Sequence, residues 1–200
     1  KELLIFEKNK FVLASSIYSQ YLVRNTSERI EMIETLQKLY IECSQNDSWI
    51  NKYKLQRKML ISRSNIKLIF STRKQLTRSE EENIFGYYDN IKNLETATDN
   101  PYFWLQFGIT ALNLEEFELA KTYFSNSYSN ANKLTGFDTY QIDTHYARYL
   151  LQSEIKTNQN KRFQAMEKFM EAHNLLKKSS ESGTDLSYIL KQASLYYKYF

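Results

Sequence analysis

The sequence is poor in the residues that break regular structure: its 200 residues include four glycines and one proline. Turn-rich β folds, collagen-like chains and long linkers need many more of both. The glycines are also more than twenty positions apart, so no glycine-rich phosphate loop or dinucleotide-binding fingerprint can form. The scarcity of glycine and proline excludes the common glycine-rich nucleotide-binding motifs and favours a helical fold.

Soft metal ligands are equally scarce, because the chain has one cysteine, Cys43, and two histidines. A single cysteine excludes a disulfide framework within the chain. One cysteine and two histidines are too few for the usual zinc sites. We therefore expect no metal and no cofactor.

Long apolar runs are absent too, and none approaches the roughly 18–20 residues that a membrane span needs. The first residues mix Leu3, Leu4 and Ile5 with Glu7 and Lys8, unlike the unbroken apolar core of a signal peptide. We expect a cytoplasmic protein with no membrane partner. Because the sequence begins with lysine rather than methionine, we also expect it to be part of a longer protein.

What the chain does have is helical spacing, with apolar residues recurring at intervals of three and four. The pattern predicts helices over about 2–24, 28–44, 48–61, 66–70, 80–95, 101–112, 115–132, 139–155, 162–180 and 186–200. No stretch alternates with period two, so we predict no strands. The predicted fold is all-α: a solenoid of antiparallel helix pairs, with degenerate helical repeats over 1–99 and tetratricopeptide-like repeats with a C-terminal helix over 100–200.

Two helix starts are marked by their own residues. Ser79 followed by Glu82 has the spacing of a capping box, in which each side chain bonds the other's backbone N–H. Asn100 followed by Pro101 is the clearest start, since asparagine caps free N–H groups and proline suits the first helical position.

A repeat signature begins at Trp104. Trp104, Gly108, Ala120 and Phe124 stand at offsets of 0, 4, 16 and 20, the large–small–small–aromatic pattern of a tetratricopeptide repeat. Two helices approach closely only where glycine or alanine removes bulk, and aromatic rings fill the adjacent space. A glycine within a helix costs about 1 kcal/mol relative to alanine. We therefore expect Gly108 to serve helix packing.

A second unit follows with Ala147, Ala165, Phe169 and Ala172. The interval from Ala147 to Ala165 is 18, against 12 from the first repeat's glycine to its alanine, and a polar loop at 156–161 accommodates the difference. The sequence thus predicts two related helix pairs, with a longer loop between the helices of the second pair.

Three runs carry a resemblance to a known group: YYDNIKNL from Tyr87, NPYFWLQF from Asn100 and FDTYQIDTHYARYLL from Phe137. They resemble the C-terminal helical region of bacterial anti-phage proteins that carry a STAND-type P-loop ATPase, a sirtuin-like or a nuclease module upstream. The resemblance covers about 85–175. It implies a sensor or scaffold that binds a foreign protein and controls an effector, with the catalytic parts lying elsewhere.

The strongest charge feature is a basic segment over 52–78 that contains no aspartate or glutamate. Its nine cations are Lys52, Lys54, Arg57, Lys58, Arg63, Lys67, Arg73, Lys74 and Arg78. With aromatic residues nearby, such a segment can bind a phosphate backbone and stack on bases. It can equally dock onto a partner protein or onto the acidic stretch 80–82 of the same chain, or form a solvated surface.

Candidate partner-binding residues lie on the first helix of each predicted pair, where repeat solenoids often display aromatic and polar side chains. They are Tyr102, Gln106, Tyr140, Asp143 and Arg148. Asp143 and His145 look catalytic, but two positions on a helix point about 200° apart. A polar network between helices is the favoured interpretation of these charged residues, and a ligand-contacting groove is the alternative.

No nucleophile, base and orienting group occur together, so we predict no catalytic residue and no enzyme. The function expected is a protein-interaction and sensor domain of a multidomain bacterial antiviral defence protein. Its partner would be a phage-derived protein or a second copy. The alternative is a nucleic-acid-binding helical domain that uses residues 52–78.

Overall fold

The computed structural model describes residues 4–7, 10–13, 31, 33–35, 38, 61–71, 75–93, 99–134, 139–157, 167, 170–171 and 173–178. The helices with both ends defined are α1 (Arg63–Phe70), α2 (Arg78–Lys92), α3 (Pro101–Asn113), α4 (Phe117–Ala131) and α5 (Tyr140–Thr157). The described residues between 31 and 38 and between 167 and 178 are helical as well. The predicted all-α class is therefore confirmed for every described element beyond residue 13.

The helix predicted over 2–24 is wrong in its first part, which forms two antiparallel strands. Strand β1 (Leu4–Glu7) pairs with β2 (Lys10–Leu13), with Leu4 opposite Leu13 and Glu7 opposite Lys10. Two short apolar runs separated by two residues have the spacing of a tight hairpin, although Lys8 and Asn9 are not one of the usual turn pairs. Their apolar residues also fit a helical stripe, and short apolar runs of this kind are ambiguous.

The contacts divide the chain into two compact units, Lys1–Gln106 (unit 1) and Phe107–Phe200 (unit 2). The sequence predicts a boundary between 99 and 100, whereas this division falls inside α3. The helices predicted over 48–61 and 186–200 lie outside the described residues apart from Ile61, which is helical. Ala165, Phe169 and Ala172 of the predicted second repeat also lie outside them.

In unit 1, α2 begins with a capping box two residues earlier than predicted. The Thr77 hydroxyl accepts a hydrogen bond from the Glu80 backbone N–H at 3.3 Å, and the Glu80 carboxylate accepts from the Thr77 N–H at 2.8 Å. The predicted pair of Ser79 and Glu82 has the same spacing. Nothing in the spacing alone distinguishes Thr77 from Ser79 as the cap.

The start of α3 is confirmed as predicted. The Asn100 side-chain oxygen accepts hydrogen bonds from the backbone N–H groups of Tyr102 at 3.0 Å and Phe103 at 3.4 Å. Pro101 then occupies the first helical position, where its missing N–H costs nothing. This cap fixes where α3 begins and places Phe103 in the unit 1 core, where it is fully buried.

The turn between α3 and α4 ends α3 with two backbone hydrogen bonds. The Glu115 N–H donates to Leu112 O at 3.1 Å, and the Glu116 N–H donates to Ala111 O at 3.0 Å. This is the Schellman pattern, which needs a left-handed residue after the helix. Glu115 takes that conformation with a φ of 66°, although glycine is the usual choice. The short turn predicted here is confirmed.

In unit 2, Gly108 packs against the ring of Phe124. A Cβ added at Gly108 would lie 2.9 Å from Phe124 Cδ1 and Cε1, closer than real Cβ atoms approach. Phe124 is fully buried, as are Ala111 and Ala120. The packing role predicted for Gly108 is therefore confirmed: a side chain at this position would occupy the space of the Phe124 ring.

Candidate interaction site

The helices differ sharply in how much of their surface reaches solvent. Helix α4 has an exposed side formed by Glu118, Leu119, Lys121, Thr122, Ser125 and Ser129. In contrast, no residue over 101–114 of α3 and its turn is exposed, and none over 140–153 of α5. The first-helix positions that the sequence selects for partner binding thus lie on enclosed helices.

Among the five predicted partner-binding residues, Asp143 is buried and the other four are half-buried. Gln106 accepts a hydrogen bond through Oε1 from the Arg63 backbone N–H at 3.0 Å, so it caps α1 within unit 1. Arg148 donates from Nη2 to Asn113 Oδ1 at 2.6 Å, which ties α5 to the end of α3 within unit 2. The side chains of Gln106 and Arg148 therefore form hydrogen bonds with other helices of the chain.

Asp143 accepts hydrogen bonds from two hydroxyl groups. Tyr128 on α4 donates to Oδ1 at 2.7 Å, and Thr139 donates to Oδ2 at 3.1 Å. The ammonium of Lys178 lies 3.7 Å from Oδ2 and completes the site. A polar network between helices, the interpretation favoured from the sequence, is what these contacts form.

Burial of Tyr128 raises the pKa of its phenol well above the usual value, and its hydrogen bond to the Asp143 carboxylate raises it further. The phenol therefore keeps its proton and remains a donor to the carboxylate across the ordinary pH range. The interaction joins α4 to the first turn of α5.

The sequence did not identify Tyr128, Thr139 or Lys178 as members of this site. Thr139 has a local signal, because a hydroxyl just before a helix commonly bonds a residue in its first turns. Tyr128 is one of 16 tyrosines, and no local rule selects it. Lys178 lies 35 positions from Asp143, so only the tertiary structure brings them together.

Aromatic rings fill the space between α4 and α5. Tyr146 lies edge-on to Phe124 and Tyr128, with ring centroids 6.2 and 5.8 Å apart, and stacks on Tyr149 at 5.3 Å. Such ring pairs add roughly 0.5–1.5 kcal/mol each beyond the area they bury. Tyr128, Tyr146 and Tyr149 thus serve packing at the α4–α5 contact.

Unit 1 has a polar junction at the start of α1. Arg63 forms an ion pair with Glu81 of α2, and the two side chains are only 18% and 12% exposed. Tyr88, also on α2, donates a hydrogen bond to the Ile61 carbonyl at 2.8 Å. Burial raises the pKa of Tyr88 well above its usual value. Together with Gln106, these groups anchor the start of α1 to α2 and to α3.

Two cations of the basic segment are paired with the acidic stretch that follows it. Arg63 pairs with Glu81, and Arg78 with Glu82 at 3.1 Å on the exposed side of α2. The Arg63 pair supports docking onto residues 80–82 of the same chain, whereas the Arg78 pair joins two neighbouring turns of α2. Lys67 is half-buried. The remaining cations lie outside the described residues: Lys52, Lys54, Arg57, Lys58, Arg73 and Lys74.

Within the part of the chain that the structure describes, no three or more His, Cys, Asp or Glu side chains are grouped so as to hold a metal ion. The helices described there include none with the length and apolar character to cross a membrane. Comparison of the chain with family models, with curated proteins and with solved structures finds no match in any of the three.

Proposed function

We propose that the chain is a non-catalytic protein-binding module of tetratricopeptide-like helix pairs. In this proposal it is the sensing or assembly region of a multidomain bacterial defence protein in the cytoplasm. It recognises a phage-derived protein or a second copy, and it controls an effector module upstream. The observation that carries the proposal is the close approach of α3 and α4 at Gly108, against the Phe124 ring.

The order of the contacts supports antiparallel helix pairs. Across α4 and α5, Phe124 meets Tyr149 while Tyr128, one turn later, meets Asp143, so the partner's number falls as the residue number rises. Helices α3 and α4 are joined by the short turn at 114–116, and Phe107 stacks on Tyr123 with centroids 4.0 Å apart, next to the Gly108 contact. Helix pairs that pack in this way stack into extended surfaces that bind other proteins.

The sequence supports the defence assignment through the three runs beginning at Tyr87, Asn100 and Phe137, which resemble the helical region of anti-phage proteins. Much of the third run falls on α5, the helix that carries Tyr140, Asp143 and Arg148. We place the partner-binding surface of unit 2 at the start of this helix, and that of unit 1 at Tyr102, because the neighbouring candidate Gln106 caps α1.

Nucleic-acid binding through 52–78 is the weaker proposal. Affinity for a phosphate backbone comes from cations that release condensed counterions when they bind. Arg63 and Arg78 already face carboxylates of the same chain. A salt titration of binding to a generic duplex and a generic single strand tests the alternative. Steep salt-dependent binding would favour nucleic acid over a protein partner.

The proposed function is tested with the purified chain and a panel of purified phage structural proteins, in parallel with sedimentation velocity of the chain alone. We expect one panel protein to bind, or the chain to self-associate. Tyr140→Ala should weaken that interaction about tenfold, because half-buried tyrosines are common anchors of interfaces. Ser125→Ala on the exposed side of α4 is the matched control and should change nothing. A chain that binds no panel protein and stays monomeric contradicts the proposal.

A further inference from the structure

The outward side of α2 has a glycine at its centre. We call this side the α2 face, and it consists of Glu82, Asn83, Gly86, Asp89 and Asn90. These residues are neighbours on the helix surface, because the other four lie three or four positions from Gly86. Glu82, Asn83 and Asn90 are exposed, and Gly86 and Asp89 are half-buried. The α2 face is therefore accessible to solvent.

Gly86 destabilises α2 without serving packing inside the described part of the chain. A glycine within a helix is about 1 kcal/mol less favourable than alanine. At Gly108 the Phe124 ring occupies the space beside the glycine, whereas a Cβ added at Gly86 meets no described atom within 4 Å. A glycine on a helix surface lets another backbone approach closely. Gly86 therefore suits a crossing with a helix from outside this chain.

The polar side chains of the α2 face retain hydrogen-bonding capacity. Its two carboxylates are paired with Arg78 and Lys92, which belong to α2 itself. A carboxylate has about four acceptor positions, so each can accept further hydrogen bonds. The side chains of Asn83 and Asn90 form no hydrogen bond within the described part of the chain. The α2 face thus offers acceptors on two residues and amide donors on two others.

These donors and acceptors are placed symmetrically about Gly86. Asn83 and Asp89 lie three positions on either side of it, and Glu82 and Asn90 lie four positions on either side. In a two-fold antiparallel helix pair that crosses at the glycine, each residue faces the residue at the mirrored position of the second copy. Every carboxylate of the face then meets an amide donor.

A parallel pair would not have this complementarity. Glu82 would face the same residue of the second copy, and so would Asp89. Like charges that face each other across an interface are unfavourable. The chemistry of the α2 face therefore matches a second copy of itself in the antiparallel direction.

We infer that the α2 face is a self-association surface, at which two copies of the chain cross antiparallel with Gly86 against Gly86. The inference rests on the proposed function where that includes assembly, and it deepens it by assigning the assembly contact to named residues. It uses none of the residues placed at the partner-binding surfaces on α3 and α5.

Sedimentation equilibrium of the full chain tests the inference from about 10 µM to about 1 mM, since an interface of one helix crossing is small and weak. We expect a dimer. Gly86→Gln should weaken it at least about tenfold, because the added side chain blocks the close approach. Glutamine favours helix, so α2 should persist, and circular dichroism checks this. Ser125→Gln adds the same side chain on α4 and is the matched control.

Substitutions at Asn83 test the antiparallel direction. Asn83→Lys should tighten the dimer about threefold, because the ammonium faces Asp89 of the second copy. Asn83→Asp should weaken it about tenfold, because two carboxylates then face each other. In a parallel pair both substitutions would bring like charges together. A dimer weakened by Asn83→Lys would therefore overturn the antiparallel pair.

A chain that stays monomeric over this range overturns the inference, and so does a dimer that Gly86→Gln and Ser125→Gln affect equally. If a monomeric chain binds a panel protein, the proposed function stands and the α2 face fails. If the dimer depends on Gly86 and not on Tyr140, while no panel protein binds, the α2 face stands and the proposed partner-binding surface on α5 fails.

Discussion

The two units join their helices by different kinds of contact. In unit 1, the start of α1 is held by polar groups: the Arg63–Glu81 ion pair, the Gln106 cap and the hydrogen bond from Tyr88 to Ile61. In unit 2, α3 and α4 meet where a missing side chain admits an aromatic ring, Gly108 against Phe124. The contacts in unit 1 therefore depend on paired polar groups. The contact in unit 2 depends on the absence of a Cβ atom at Gly108.

The difference bears on the repeat that we propose for unit 2. A glycine at a crossing point can recur at fixed spacing, so it leaves a signature in the sequence. The unit 1 contacts join residues 18, 27 and 43 positions apart, with no periodicity among them. In unit 2, one packing contact, Gly108 against Phe124, falls at positions of the proposed repeat pattern.

The largest effect is expected from a substitution that breaks the polar junction of unit 1. Arg63→Met leaves Glu81 largely enclosed without its cation, and we expect a loss of about 3 kcal/mol in the free energy of unfolding. Arg78→Met removes the exposed pair with Glu82 and should cost no more than about 0.5 kcal/mol. Urea titration followed by circular dichroism measures both. Equal effects of the two variants would mean that the enclosed pair adds nothing beyond a surface pair.

High pH should destabilise both units, through the buried Tyr88 in unit 1 and the half-buried Tyr128 in unit 2. The pKa values of Tyr88 and Tyr128 are raised in the folded state, so the unfolded chain loses these protons first as pH rises. Their contribution to stability is complete below the usual tyrosine pKa of about 10. Above it, the free energy of unfolding should fall by about 1.4 kcal/mol per pH unit for each tyrosine.

Phenylalanine variants assign this loss to the two units. Tyr88→Phe removes the titrating group from unit 1 and Tyr128→Phe removes it from unit 2, so each should flatten the decline above pH 10. Unfolding free energies measured between pH 8 and pH 11 provide the slopes. A decline that is equally steep in both variants and in the wild-type chain would contradict the assignment.

The smallest expected effect concerns the other helical glycine. A Cβ added at Gly86 in α2 meets no atom within 4 Å. Gly86→Ala should therefore stabilise the chain by about 0.5–1 kcal/mol, because alanine loses less backbone entropy in a helix. Thermal unfolding checks the sign. A destabilised Gly86→Ala would show that the space beside this residue is needed, and would weaken the contrast with Gly108.

Local signals predicted much of the helical fold. Asn100 and Pro101 located the start of α3, and the interval from Gly108 to Phe124 indicated how the next helix packs. The hairpin at residues 4–13 was missed, since two four-residue apolar runs fit both a helical stripe and a pair of strands. The choice between helix and strand here depends on the pairing of two segments, and the periodicity of apolar residues in one segment does not reveal that pairing.

The candidate site was predictable only in part. Asp143 was selected from its position on a first helix, but its donors Tyr128 and Lys178 come from other elements. Gln106 was expected to face a partner and instead caps α1, 43 positions earlier in the chain. Such contacts depend on how helices are placed in three dimensions, which spacing along one helix does not encode.

The most direct test of repeat-type packing in unit 2 is a double-mutant cycle at Gly108 and Phe124. Gly108→Ala forces a methyl group against the buried ring, and overpacking of this kind costs about 1–3 kcal/mol. Phe124→Leu alone should also destabilise the chain, because the smaller side chain leaves space beside Gly108. In the double variant the methyl group occupies part of that space. The combined loss should be smaller than the sum of the two single losses by at least about 1 kcal/mol. Additive losses would contradict the close approach of α3 and α4.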